Sequence, residues 1–135
     1  TFQHHRLAEI LSHRRHIAKI YREAFYGHRL LKPVDPAPYE GHAYWRYPVL
    51  LDNRIDRKKV QILMEQRANT RITWMYEPLC HQQPYYMQRA NLGNFQVAMD
   101  ISPRLINLPT HMGVDFDGAG MIAETLTGIL DEMVH

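Results

Sequence analysis

Between Tyr76 and Tyr86 the sequence reads Tyr76-Glu77-Pro78-Leu79-Cys80-His81-Gln82-Gln83-Pro84-Tyr85-Tyr86, crowding aromatic rings, an imidazole and two amides between prolines. These groups stack and hydrogen-bond, and proline-stiffened loops lose little entropy when they hold a ligand. The same residues would also serve to cover a core, and composition alone leaves both readings open. Other reactive side chains have poorer settings. Ser12 and Ser102 stand in no nucleophile elbow, and Cys80 has only the adjacent His81 as an activator, which would point away from it. No catalytic nucleophile is therefore assigned.

Nine histidines are many for 135 residues, and His13 and His16 are three apart on a helical pattern. A metal site wants a third protein ligand and supporting groups, and only Glu9 is at hand. Solvated surface histidines are the plainer reading, so no metal ligand is assigned; a module built on His13 and His16 is kept as a lesser alternative. The first helix is basic, yet the formal net charge is only +2 and no zinc knuckle, glycine-rich loop or RNP-type motif is present. Nucleic acid is not an expected partner.

The elements that must position these groups follow from periodicity. Leu7, Ile10, Leu11, Ile17, Ala18, Tyr21, Ala24 and Phe25 form an apolar helical stripe that Gly27 ends. Leu31 to Gly41 is expected to be irregular because of Pro33, Pro36 and Pro38. A strand is expected over His42 to Leu51, at a sheet edge or with a bulge, since Pro48 lacks a ladder donor. A helix capped by Asp56, stapled by Ile55 and Val60, runs to Asn69. Arg71 to Met75 reads as a second strand, Phe95 to Ile101 as a short helix, and Leu105 to Leu108 as a third strand. The last helix has Asp117 as its expected cap and Met121, Ile122, Leu126, Ile129, Leu130 and Met133 on one face.

Three strands with helices on one face predict an α/β (α+β) fold, a small two-layer sandwich in a single domain. Hydrophobic residues are 45% and charged residues 22%, ordinary for a globular chain. With one cysteine, no signal peptide and no membrane-spanning run, the cytoplasm is the expected setting and no membrane is involved. The opening at Thr1 instead of methionine carries the expectation of a fragment.

Four blocks, in order, resemble the DegT/DnrJ/StrS family of sugar aminotransferases. Arg15-His16-Ile17-Ala18-Lys19-Ile20-Tyr21 is similar to its R-x-x-A-x-x-Y helix, and Tyr44-Trp45-Arg46-Tyr47-Pro48-Val49 with the helix after Asp56 to its next block. Tyr76-x-Pro78-Leu79, followed by His81 and Pro84, resembles its Y-x-P-L-H-x-x-P-x-Y loop, with Cys80 as one extra residue. Leu105-Ile106-Asn107-Leu108-Pro109 resembles its LSLP element. The resemblance implies the C-terminal small domain, residues 1–135, of a pyridoxal-phosphate enzyme of the aspartate-aminotransferase fold. The large cofactor-binding domain would lie outside the chain.

The family's cofactor lysine has no counterpart among Lys19, Lys32, Lys58 and Lys59, so this chain alone is expected to bind no pyridoxal phosphate and to be inactive. The parent would move an amino group from glutamate or glutamine to a keto-sugar, commonly nucleotide-linked, as a homodimer. The resemblance gives His81 a substrate-contact role, with Tyr76 second and Trp74 in support. A free-standing binding or assembly domain derived from such an enzyme is the alternative.

Overall fold

Helix α2 (Leu7–Phe25) follows a short α1 (Phe2–His5) and buries Ile17, Ala18, Tyr21 and Phe25, the spacing that keeps one helical face inward. These are features of a computed structural model that describes residues 2–37, 41–74, 77–88, 93 and 95–134. The expected stripe is shorter than its pattern. Leu7 is exposed and Ile10 only half-buried, and the buried face of α2 begins at Ile17. Gly27 then turns the chain with φ +71, a conformation open to glycine at little cost.

The sheet has three antiparallel strands in the order β1 (Leu31–Pro33), β2 (Tyr47–Leu51), β3 (Leu105–Leu108). The stretch after Leu31 is not wholly irregular: Pro33 closes β1, an edge strand, at a register position whose N–H would face away from β2, so no ladder bond is lost. Arg71 to Met75 forms no strand among the described residues, only a single bridge from Thr73 to Asn107, so β1 is the third strand instead.

The strand carrying Pro48 is central, not an edge, and has no need of a bulge. Pro48 pairs with Asn107, whose own N–H and C=O face outward to Thr73 at 2.7 and 3.2 Å. The donor that Pro48 lacks would have faced Val34, one residue past the end of β1, while the Pro48 carbonyl still accepts from Val34 N–H at 3.1 Å. One bond is lost at a fraying end. The strand is also shorter than expected, starting at Tyr47 and not at His42.

Three helices cover one face of the sheet: α2, α3 (Arg57–Ala68) and α6 (Phe116–Glu132), with α6 packed against both others. Alternation along β2 sends Tyr47, Val49 and Leu51 into that layer, joined by Ile106 and Leu108 of β3. Tyr21, Phe25, Tyr44 and Tyr47 form a ring cluster with centroids 5.3 to 6.4 Å apart. The α/β two-layer sandwich is as expected.

Helix ends match the sequence unevenly. Asp56 caps α3 by accepting from Lys58 N–H at 2.9 Å and Lys59 N–H at 3.4 Å, with Ile55 and Val60 buried beside it, and Asn69 ends it at φ 46. For α6 the cap is Asp115, accepting from Gly118 N–H at 2.7 Å, and Asp117 falls inside the first turn. A Cβ on Gly118 would meet the Asp115 carboxylate at 2.8 Å, so glycine there keeps the cap seated. Met121, expected on the buried face, is exposed.

Candidate functional site

Arg57 joins the aromatic loop to the sheet. It is the first residue of α3, only 7% exposed, and its guanidinium reaches four groups. It donates to the Ser102 carbonyl at 2.7 Å and the Leu105 carbonyl at 3.3 Å, and pairs with the Glu77 carboxylate at 2.5 Å. Its guanidinium carbon also stands over the Trp74 ring, 4.1 Å from the centroid. Trp74 therefore buttresses the loop through Arg57.

Beyond Glu77 the loop is not irregular. After a cis Glu77–Pro78 bond it forms a 3-10 turn, Cys80–Gln82, and a short helix α4, Pro84–Met87. The two amides that looked available for a ligand brace the loop instead. Gln82 accepts from Leu79 N–H at 2.9 Å and donates to Met99 Sδ at 3.1 Å, while Gln83 donates to the Pro78 carbonyl at 2.9 Å. Met99 belongs to α5 (Gln96–Ile101), so α4 and α5 form one arm beside the sheet.

His81 sits half-buried in that arm. Its Nε2 is 3.3 Å from Met99 Sδ and its ring tilts against Phe95 with centroids 4.8 Å apart. Sulfur is an acceptor, so the contact suits the tautomer with hydrogen on Nε2 and leaves Nδ1 as a lone pair. Together with Leu79, Cys80, Tyr86, Phe95 and Ala98 it lines an apolar groove of about 420 Å³. Trp74 is connected to this groove by way of Arg57 and Glu77. Tyr76, the other expected contact, lies outside the described residues.

His13 and His16 have a different employment. Their rings stack on Phe116 at 5.4 and 4.0 Å, and His13 Nε2 lies 3.3 Å from the His111 carbonyl, fastening α2 to the start of α6. Among the described residues no group of three or more His, Cys, Asp or Glu could hold a metal ion. Nor is any helix among them long and apolar enough to cross a membrane.

A second concavity, of about 270 Å³, was not read from the sequence. It is lined by Arg14 of α2, Trp45 and Arg46 ahead of β2, Arg71 after α3, and Thr73, Asn107 and His111 around β3. Its arginines are far apart in the chain, so only the fold assembles them. Arg57 was missed for the opposite reason: next to Asp56 and Lys58 it looks like one more exposed charge.

The chain has well-defined likenesses. A model of the DegT/DnrJ/EryC1/StrS aminotransferase family matches residues 2–127. No curated protein matches the sequence. Among solved structures, an aminotransferase TlmJ from Streptoalloteichus hindustanus is 24% identical with a TM-score of 0.83, over 97% of this chain and 34% of that one. PseC from Helicobacter pylori, an aminotransferase involved in the biosynthesis of pseudoaminic acid, is 20% identical with a TM-score of 0.85, over 96% and 35%. The PLP-form of Spr1654 from Streptococcus pneumoniae is 19% identical with a TM-score of 0.85, over 99% and 34%. The chain thus spans about a third of the length of each.

Proposed function

Since the chain belongs to the DegT/DnrJ/EryC1/StrS aminotransferase family, we propose that it is the C-terminal small domain of a pyridoxal-phosphate-dependent sugar aminotransferase. The observation carrying this reading is one of proportion: nearly all of this chain superposes on about one third of aminotransferase structures. The parent enzyme would transfer an amino group from glutamate or glutamine to a keto-sugar, commonly nucleotide-linked. This domain would supply substrate contacts and close over the cleft.

The described residues do not by themselves fit the cofactor. Lys19 is an exposed partner of Glu23 on α2, and Lys58 and Lys59 are exposed in the first turn of α3. Lys32 borders a shallow groove with Arg29 and Arg104, where Asp52 is engaged by Arg54 at 2.7 Å. A Schiff-base lysine and a carboxylate for the pyridinium nitrogen would have to come from the large domain. No chemical step is assigned to this chain.

Its contribution is binding and the exclusion of water. The apolar groove around His81 gives a wall for a sugar ring, and the Nδ1 lone pair of His81 accepts from a substrate hydroxyl. Tyr76 is the second contact, and Trp74 supports the wall through Arg57. Removing one such hydrogen bond by His81→Ala in the full-length enzyme should raise KM for the sugar about tenfold, with kcat less affected.

The gene upstream of Thr1 tests the assignment. An in-frame large domain supports it, whereas a start codon directly before Thr1 points to a free-standing binding domain. Borohydride trapping of pyridoxal phosphate on one specific lysine of this chain would overturn the division of labour.

A further inference from the structure

We propose that the arginine-lined cleft between the middle of α2 and β3 is an oxyanion site that takes a phosphate or diphosphate group. It stands apart from the groove around His81 and holds whether or not the chain is part of a transaminase. Three guanidinium groups, of Arg14, Arg46 and Arg71, line the cleft, and no carboxylate does.

Elsewhere in the chain arginine is routinely neutralised. Arg22 pairs with Asp35 at 2.9 Å, Arg67 with Glu132 at 2.8 Å and Arg104 with Asp100 at 2.7 Å. The three arginines of the cleft form no ion pair among the described residues. Asp115, which lines a neighbouring concavity together with Arg71 and His111, is committed to capping α6. Like charges gathered without counter-charge cost free energy, and an anion removes that cost.

The donors are also held ready. Arg14 Nε is buried with no hydrogen-bond partner among the described residues, so that edge of its guanidinium is not committed to any acceptor within the fold. Arg46 is oriented by a hydrogen bond to Thr73 Oγ1 and by the Trp45 ring 4.6 Å beneath it. His111 accepts from Gly113 N–H at its Nδ1, 3.2 Å away, which puts hydrogen on Nε2 and makes the ring a donor. Planar guanidinium forks match phosphate oxygens two at a time, and a doubly or triply charged group answers three of them better than one carboxylate can.

Calorimetric titration of the full chain with inorganic phosphate, with pyrophosphate and with a nucleoside diphosphate tests the site. The expected result is saturable binding at one site, tighter for pyrophosphate than for phosphate and weakened by added salt. Tighter binding of the nucleoside diphosphate than of pyrophosphate identifies an esterified group as the natural occupant, and equal binding a free anion; both support the site. Arg71 is exposed and makes no hydrogen bond among the described residues, so Arg71→Gln should fold normally and bind pyrophosphate about tenfold more weakly. Arg14→Gln should act alike, and Arg54→Gln, outside the cleft, should change nothing. Absence of saturable binding at millimolar pyrophosphate overturns the proposal. So does unchanged affinity in both cleft variants, with thermal melting confirming that they are folded.

Discussion

Two buried polar side chains behave in opposite ways because one is satisfied and the other is not. Arg57 gives its guanidinium to a carboxylate, two carbonyls and the face of Trp74. Replacing it with methionine leaves both carbonyls and Glu77 without their donor. Arg57→Met should therefore cost about 2–4 kcal/mol in urea denaturation and hasten proteolysis within residues 77–88. Tyr47 is the reverse case, a buried phenol with no well-formed hydrogen bond among the described residues and only the nearby Arg22 guanidinium to ease its ionisation slightly. Burial first, and the Asp35 carboxylate second, push its ionisation above the ordinary value near 10, and burial does the same for Tyr21. The folded state thus holds the proton where the unfolded chain releases it. This stabilisation is complete below about pH 10 and fades as pH rises toward the folded-state values. Tyr47→Phe should leave stability at pH 7 within about 0.5 kcal/mol of the parent. In an alkaline titration followed by circular dichroism, it should move the unfolding midpoint upward.

At the scale of elements, the caps offer a direct comparison. Asp115→Ala should cost about 1 kcal/mol by removing the acceptor for Gly118 N–H, while Asp117→Ala, within the first turn, should cost less than about half as much. Thermal melts of the two variants decide between them. The sequence points to Asp117 as the cap, and the backbone geometry selects Asp115, two residues earlier. Where local chemistry is sufficient, the reading from residues was accurate: Asp56, Ile55, Val60 and Asn69 bound α3 as their types predict. It failed where long-range pairing decides. Leu31 to Pro33 contains a proline and became a strand because β2 offers it a partner, whereas the β-prone run at Arg71 to Met75 contributes one bridge among the described residues. Pro48 misled for the same reason, since the tolerance of a central strand depends on what faces its missing donor. The aromatic loop is expected, on the family resemblance, to meet a ligand, and its amides prove to be internal braces. The arginine cleft was invisible because Arg14 and Arg71 meet only across the folded sheet.

Across the whole molecule, apolar surface is unevenly distributed. The arm of α4 and α5 exposes Tyr85, Tyr86 and Met87 on one helix and Phe95, Val97 and Met99 on or beside the other, with Met87 at 69% and Val97 at 73%. Large apolar side chains exposed in that number favour association. The isolated chain should self-associate as its concentration rises, by sedimentation equilibrium, and Val97→Lys with Met87→Lys should shift it toward monomer without lowering its melting temperature. The two tryptophans fall on either side of this division of labour: Trp45 lies beneath Arg46 at the cleft, and Trp74 lies on Arg57 behind the loop. With only these two indoles in the chain, its natural fluorescence contains two separable channels. A Trp74→Phe protein emits from the cleft alone and a Trp45→Phe protein from behind the loop alone, so that occupancy of either place can be followed in solution without attaching a dye.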